Sequence, residues 1–153
     1  MNGAHLHLLI NHLPVLGLLF GLVLLGVGLL GRQRILKIAA LFSIMLAAVS
    51  TPVTNFTGKE AAKVVEKMGR SQAIIYEHEE AAELALWLML VLGAMAAGAF
   101  YLLHKSHPRA HLLTTATLGL GVLVFIWMAQ VANLGGQISH PEIRPGFTQD
   151  RDQ

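Results

Sequence analysis

The sequence predicts an all-α fold, an antiparallel bundle of four transmembrane helices, and three observations carry that expectation. Apolar residues make up 54% of the 153-residue chain and charged residues only 13%, with a positive mean hydropathy, far from the balance of an ordinary soluble domain. Runs beginning at Met1 and Ile38, the run Leu84 to Leu103, and a run from His111 through the last helix hold no Asp, Glu, Lys or Arg. A hydrocarbon core of roughly 30 Å takes about 20 helical residues, so each run is long enough to cross it. Leu and Ala dominate them without strand-like alternation, which favours helices over a membrane barrel.

The helices are expected at about 5–30, 34–56, 72–104 and 110–138. In the first, HLHLLINHLP places Asn11 four residues after His7 and His12 seven after His5, so each pair shares a helical face. Pro14 has no N–H, so a continuous helix would leave the Ile10 carbonyl unbonded; alternatively the long helix starts near Pro14, after a separate histidine-bearing turn. The N-terminus lacks Lys and Arg and the apolar run is long for a signal peptide, so this helix is expected to be retained.

After the tight GRQR turn, the second helix ends in a stripe of Thr51, Thr54, Asn55 and Gly58 following Pro52. The middle of the next link, NFTGKEAAKVVEKMGRSQ, is expected to form a short amphipathic helix at the interface. The third helix opens YEHEEAAE, where Ala81, Ala82 and Ala85 leave space beside His78, and Glu79 and Glu83 stack four apart. On the fourth, Gln130, Asn133, Gln137 and His140 form a stripe expected to face the interior, because polar groups in a membrane normally turn from lipid. A four-helix domain over 1–140 and a polar tail over 141–153 follow, with no internal repeat.

Four passes place both termini and the long link on one face, together with all nine acidic residues. Arg32, Arg34, Lys37, Lys105 and Arg109 crowd into the two tight turns opposite. Short basic loops usually remain cytoplasmic, which puts the termini outside. Cysteine is absent, excluding disulfides and thiolate metal sites. Nucleic-acid binding is not expected, since the basic groups of that face sit in short turns at the membrane. No glycine-rich phosphate loop precedes a helix, and no HExxH occurs.

His5, His7, His12, His78 and His140 share the carboxylate-bearing end. Neutral imidazoles ligate metals and haem iron, and two rings from facing helices can clamp a porphyrin in a bundle core. The expected metal ligands are His12, His78 and His140, with His7, Asn11, Glu79 and Asn133 lining the cofactor pocket. Haem b, bound noncovalently because no CxxCH exists, is the leading expectation. A haem-free His/Glu site for iron, copper or zinc in transport or assembly, a quinone- or proton-handling subunit, and a structural membrane partner are the alternatives. Bland readings stand beside these: interhelical hydrogen bonds for the Thr, Asn and Gln stripes, helix contact for the Gly17/Gly21 and Gly93/Gly98 pairs, and interfacial roles for His104, His107 and His111. Neither a nucleophile nor a reaction can be assigned, and self-association is left open.

The segments HLHLLINHLP, TGKEA, HEEAA and ANLGGQISHPEIR together resemble a family of small bacterial four-helix membrane proteins of unknown function, related domains of which are fused to Rieske iron–sulfur proteins. The resemblance covers about residues 5 to 144. By position it implies a polar signature at His7, Asn11, His12, Pro14, Thr57, Gly58, His78, Glu79, Asn133, Gly135, Gly136, His140, Pro141 and Glu142. Rieske-linked members tend to lack the HPEIR ending. The resemblance implies a bacterial inner membrane, and respiratory-chain or Rieske-type redox proteins as partners; quinone is the partner expected of the proton-handling alternative.

Overall fold

The computed structural model describes residues 3–144 and residue 146. These form α1 (Gly3–Ile10), α2 (Leu13–Leu30), α3 (Arg34–Lys67), α4 (Gln72–His104), α5 (Ala110–Ser139) and a 3-10 turn at Pro141–Ile143, with no strand among the described residues. Gly3–Leu30, α3, α4 and α5 are each long and apolar enough to cross a membrane. At most 33% of the most apolar window of any of them is buried within the chain. Leu30, Val49, Trp87 and Leu112 accordingly point outward, the reverse of a soluble protein's economy. Of the polar tail expected over 141–153, Pro141–Ile143 form the 3-10 turn, and most of the remainder lies outside the described residues.

Two element boundaries differ from the expectation. The first span is two helices, interrupted at Asn11 and His12, with Pro14 in the opening turn of α2; proline is preorganised there and its missing N–H deprives no carbonyl inside that helix. The separate interfacial helix does not exist, because α3 runs unbroken through Pro52 and the link to Lys67. Around the proline, Thr51 and Thr54 donate their hydroxyls to the carbonyls of Ala47 (2.9 Å) and Ser50 (3.0 Å), so these side chains satisfy their own helix. Beyond it the KEAAKVVEK residues are good helix formers, and α3 ends only where Gly69 adopts φ +77.

The helices meet through small residues. Contacts between α2 and α3 run in opposite sense, Gly17 facing Ala47, Gly21 facing Ile44 and Gly28 facing Lys37. Gly93 faces Ala48 across α3 and α4, Gly98 faces Leu113 across α4 and α5, and Gly121 faces Leu22 to close the ring of four. Leu18, Leu25, Leu41, Ile44, Met89, Leu92 and Val124 fill the centre. Polar groups buried there are internally satisfied: Thr114 and Thr117 donate to the carbonyls of Ala110 and Leu113, and Ser43 donates across helices to the Gly17 carbonyl. At the basic end, the Arg34 guanidinium donates to the Leu103 and His104 carbonyls, tying one turn to the other.

Candidate functional site

Because α3 continues past Pro52, its last turns extend a surface on which α1 lies, with Gly3 against Glu60 and His7 against Gly58. The His7 Nδ1 lies 3.2 Å from the Thr54 carbonyl oxygen and 3.3 Å from the Thr57 hydroxyl. Thr57 is 3% exposed, and its own proton goes to the Val53 or Thr54 carbonyl, so towards the ring the hydroxyl accepts. A carbonyl can only accept; the His7 proton therefore resides on Nδ1 and, in the neutral ring, the lone pair on Nε2.

The same device occurs on the other side of the bundle. The His78 Nδ1 donates to the Val131 carbonyl at 3.0 Å. One turn above, the Trp127 indole of α5 donates to the Ala81 carbonyl of α4, fixing the register of the two helices. In both cases a glycine stands four residues after the accepting carbonyl, directly under the ring. A Cβ on Gly58 would lie 3.2 Å from the His7 Cε1, and a Cβ on Gly135 would lie 3.2 Å from the His78 Cε1. Both rings are half-buried. Each imidazole is thus held by its Nδ1 over a bare backbone, with its Nε2 left as a donor to a Lewis acid.

The other expected site residues are arranged differently. His12, expected as a ligand, is exposed, and its Nδ1 is hydrogen-bonded to the Asn11 side chain within the break between α1 and α2. His140 is exposed and its Nδ1 pairs with the Glu142 carboxylate at 3.0 Å, beyond the end of α5. His12, His78 and His140 do not form a metal cage: among the described residues, no group of three or more His, Cys, Asp and Glu side chains is placed to hold an ion. The interior-facing stripe on α5 is corrected too, since Gln130 and Asn133 are exposed and only Gln137 is half-buried; the phase of α5 is set by Trp127 and Val131 meeting α4. Glu79 lines an open groove between α3 and α4 with Lys59, Lys63 and Glu66. What residue patterns alone did not reveal are the backbone partners, the carbonyls of Thr54 and Val131. The glycines were the available signal, since each follows its carbonyl by one helical turn.

Outside the spans, the HPEI turn carries its own electrostatics. Hydrogen bonds from the Glu142 backbone N–H and from His140 hold the Glu142 carboxyl below the usual carboxylate range. A depressed folded-state value means the interaction is present above the ordinary carboxylate pKa and is lost as pH falls through the lowered one. Acidification into that range is therefore expected to release the 3-10 turn, while Glu142→Gln removes the transition. The His140 ring resonances in a pH-titrated NMR spectrum report it; a Glu142→Gln protein showing the same acid transition would refute the assignment.

Compared with protein-family models, with curated proteins and with solved structures, the chain matches none.

Proposed function

We propose that this chain is an integral membrane electron-transfer protein that binds haem b noncovalently between His7 and His78. In this reading the four long helices form an antiparallel bundle in a bacterial inner membrane, with the termini and the haem end on the outer side. Electrons pass to or from a respiratory partner, a Rieske-type protein or quinone. The observation that carries the reading is the pair of imidazoles, each oriented through Nδ1 by a backbone carbonyl and each presenting Nε2.

The donor set discriminates between haem and a bare ion. Zinc, iron or copper(II) in a protein cage needs about four or more donors, and the described residues gather no such group. A porphyrin brings four equatorial nitrogens of its own and asks the protein for axial ligands only. Bound there, haem would supply a one-electron couple whose potential follows axial identity and burial. The chain's residues do the rest: the Thr54 and Val131 carbonyls fix the ring tautomers, and the glycines let the rings seat against backbone.

Protein made with ample haem supply is expected to show a Soret band. His7→Ala and His78→Ala should each weaken haem retention by at least about tenfold, the scale of losing a metal-site partner, whereas His12→Ala and His140→Ala should leave it intact. A colourless protein carrying stoichiometric metal, or a Soret band indifferent to both His7 and His78, would refute the proposal.

A further inference from the structure

No repeat is visible in the residue pattern, yet the structure repeats one unit. In the first hairpin, α1 and α2 with α3, an imidazole near the start donates to a carbonyl 47 positions later. In the second, α4 with α5, the separation is 53. Both hairpins turn through a residue of positive φ, Arg32 at 53° and Ser106 at 52°. The same pair of backbone bonds closes each turn: Gln33 N–H to Gly28 O and Arg32 N–H to Leu29 O in one, His107 N–H to Leu102 O and Ser106 N–H to Leu103 O in the other. That turn closure is a common helix ending and is weak testimony alone. The arm lengths are stronger. The six extra residues of the second hairpin divide three before the turn and three after it, although the leading arm of the first is broken at Asn11 and His12 while that of the second is the continuous α4. Matched lengthening keeps imidazole opposite carbonyl, and in both hairpins the cradle glycine, Gly58 or Gly135, follows that carbonyl by four.

We infer that the bundle is a tandem of two equivalent hairpins, each supplying one cradled imidazole to opposite faces of a single iron porphyrin, so that both axial positions are filled by protein. This rests on the haem reading above and adds what it leaves open: the centre takes no exogenous ligand. Equivalence is the point. Each ring has a carbonyl partner, a glycine floor and a half-buried position at the same end of its hairpin, so neither is built to swing aside as an exchangeable ligand would.

The test uses the full-length, haem-loaded protein in detergent, with carbon monoxide as probe. Oxidised wild type is expected to be low-spin by electron paramagnetic resonance, and the reduced form to leave its Soret band unmoved under carbon monoxide. His7→Gly and His78→Gly should each yield a carbon-monoxide-binding haem, and added imidazole should restore the unreactive spectrum in both. A high-spin wild type, a wild type that binds carbon monoxide, or a glycine variant that behaves as wild type overturns the inference while leaving haem binding standing. Absence of a Soret band in the wild type overturns both. The spin state is read on unaltered protein, so poor folding of either variant does not blunt the test.

Discussion

Gly135→Leu is expected to abolish the haem binding proposed above while leaving the helix content of the protein unchanged. An ideal Cβ at this position already lies 3.2 Å from the His78 Cε1, 3.6 Å from Nδ1 and 3.8 Å from Nε2. The larger leucine side chain occupies the space of the ring itself. His78 must then leave the Val131 carbonyl, its 3.0 Å hydrogen bond is lost, and Nε2 no longer points where it did. Losing the group that orients a ligand weakens metal binding by about 10–100-fold, and displacement of the ligand itself belongs at the upper end. Gly58→Leu should act alike through His7. Gly119→Leu is the control, because nothing lies within 4 Å of a Cβ there. Absorbance at the Soret maximum per mole of purified protein, beside a far-ultraviolet circular dichroism spectrum, decides the matter; retention of wild-type haem by Gly135→Leu would remove the cradle from the site.

Gly28→Ala and Gly26→Ala, two residues apart on α2, are expected to move stability in opposite directions. A Cβ at Gly28 would stand 2.9 Å from the Lys37 backbone nitrogen and 3.1 Å from the Leu36 Cβ. Backbone does not yield as a side-chain tip does, so α2 and α3 must separate near their tight turn, at a cost of about 1–3 kcal/mol, the usual penalty of overpacking. In a membrane that loss has no hydrophobic compensation, because packing and hydrogen bonds hold the helices together there. Gly26 has nothing within 4 Å of a Cβ, and alanine in a helix interior gains about 0.5–1 kcal/mol over glycine. Unfolding midpoints in mild detergent separate the two, and a Gly28→Ala protein as stable as wild type would contradict the close approach.

Much of the architecture is legible along the chain. The four apolar helices can be read from the charge-free runs, since a span demands length and hydropathy and little else. The Gly17/Gly21 and Gly93/Gly98 pairs do serve close helix contact. The break before α2 is one of the two geometries that Pro14 allows. The continuity of α3 was not legible, because Pro52 and a charged link look like a helix end. In fact proline removes one bond, and hydroxyls of Thr51 and Thr54 turn back onto their own helix while good helix formers follow.

The site was legible in part, and its particulars show where residue spacing stops being informative. His5, His7, His12, His78 and His140 could be assigned to one end of the molecule, but spacing relates side chains only within one unbroken helix. The interruption at Asn11 and His12 resets the phase between His7 and His12, turning the first onto α3 and leaving the second exposed and bonded to the Asn11 side chain. In the same way, the polar periodicity of α5 identified a stripe without saying which way it faced; contact of Trp127 and Val131 with α4 turned Gln130 and Asn133 outward.

Composition and hydropathy by themselves determined that this chain is four long apolar helices with five of its eight histidines and its acids assigned to one end, because the transfer of each helix from water depends on its own residues. Only the tertiary structure decided that His7 and His78 are the cradled pair. Their partners are backbone carbonyls of Thr54 and Val131, chemical groups that every residue possesses and that acquire significance only through the register and rotation at which two helices meet.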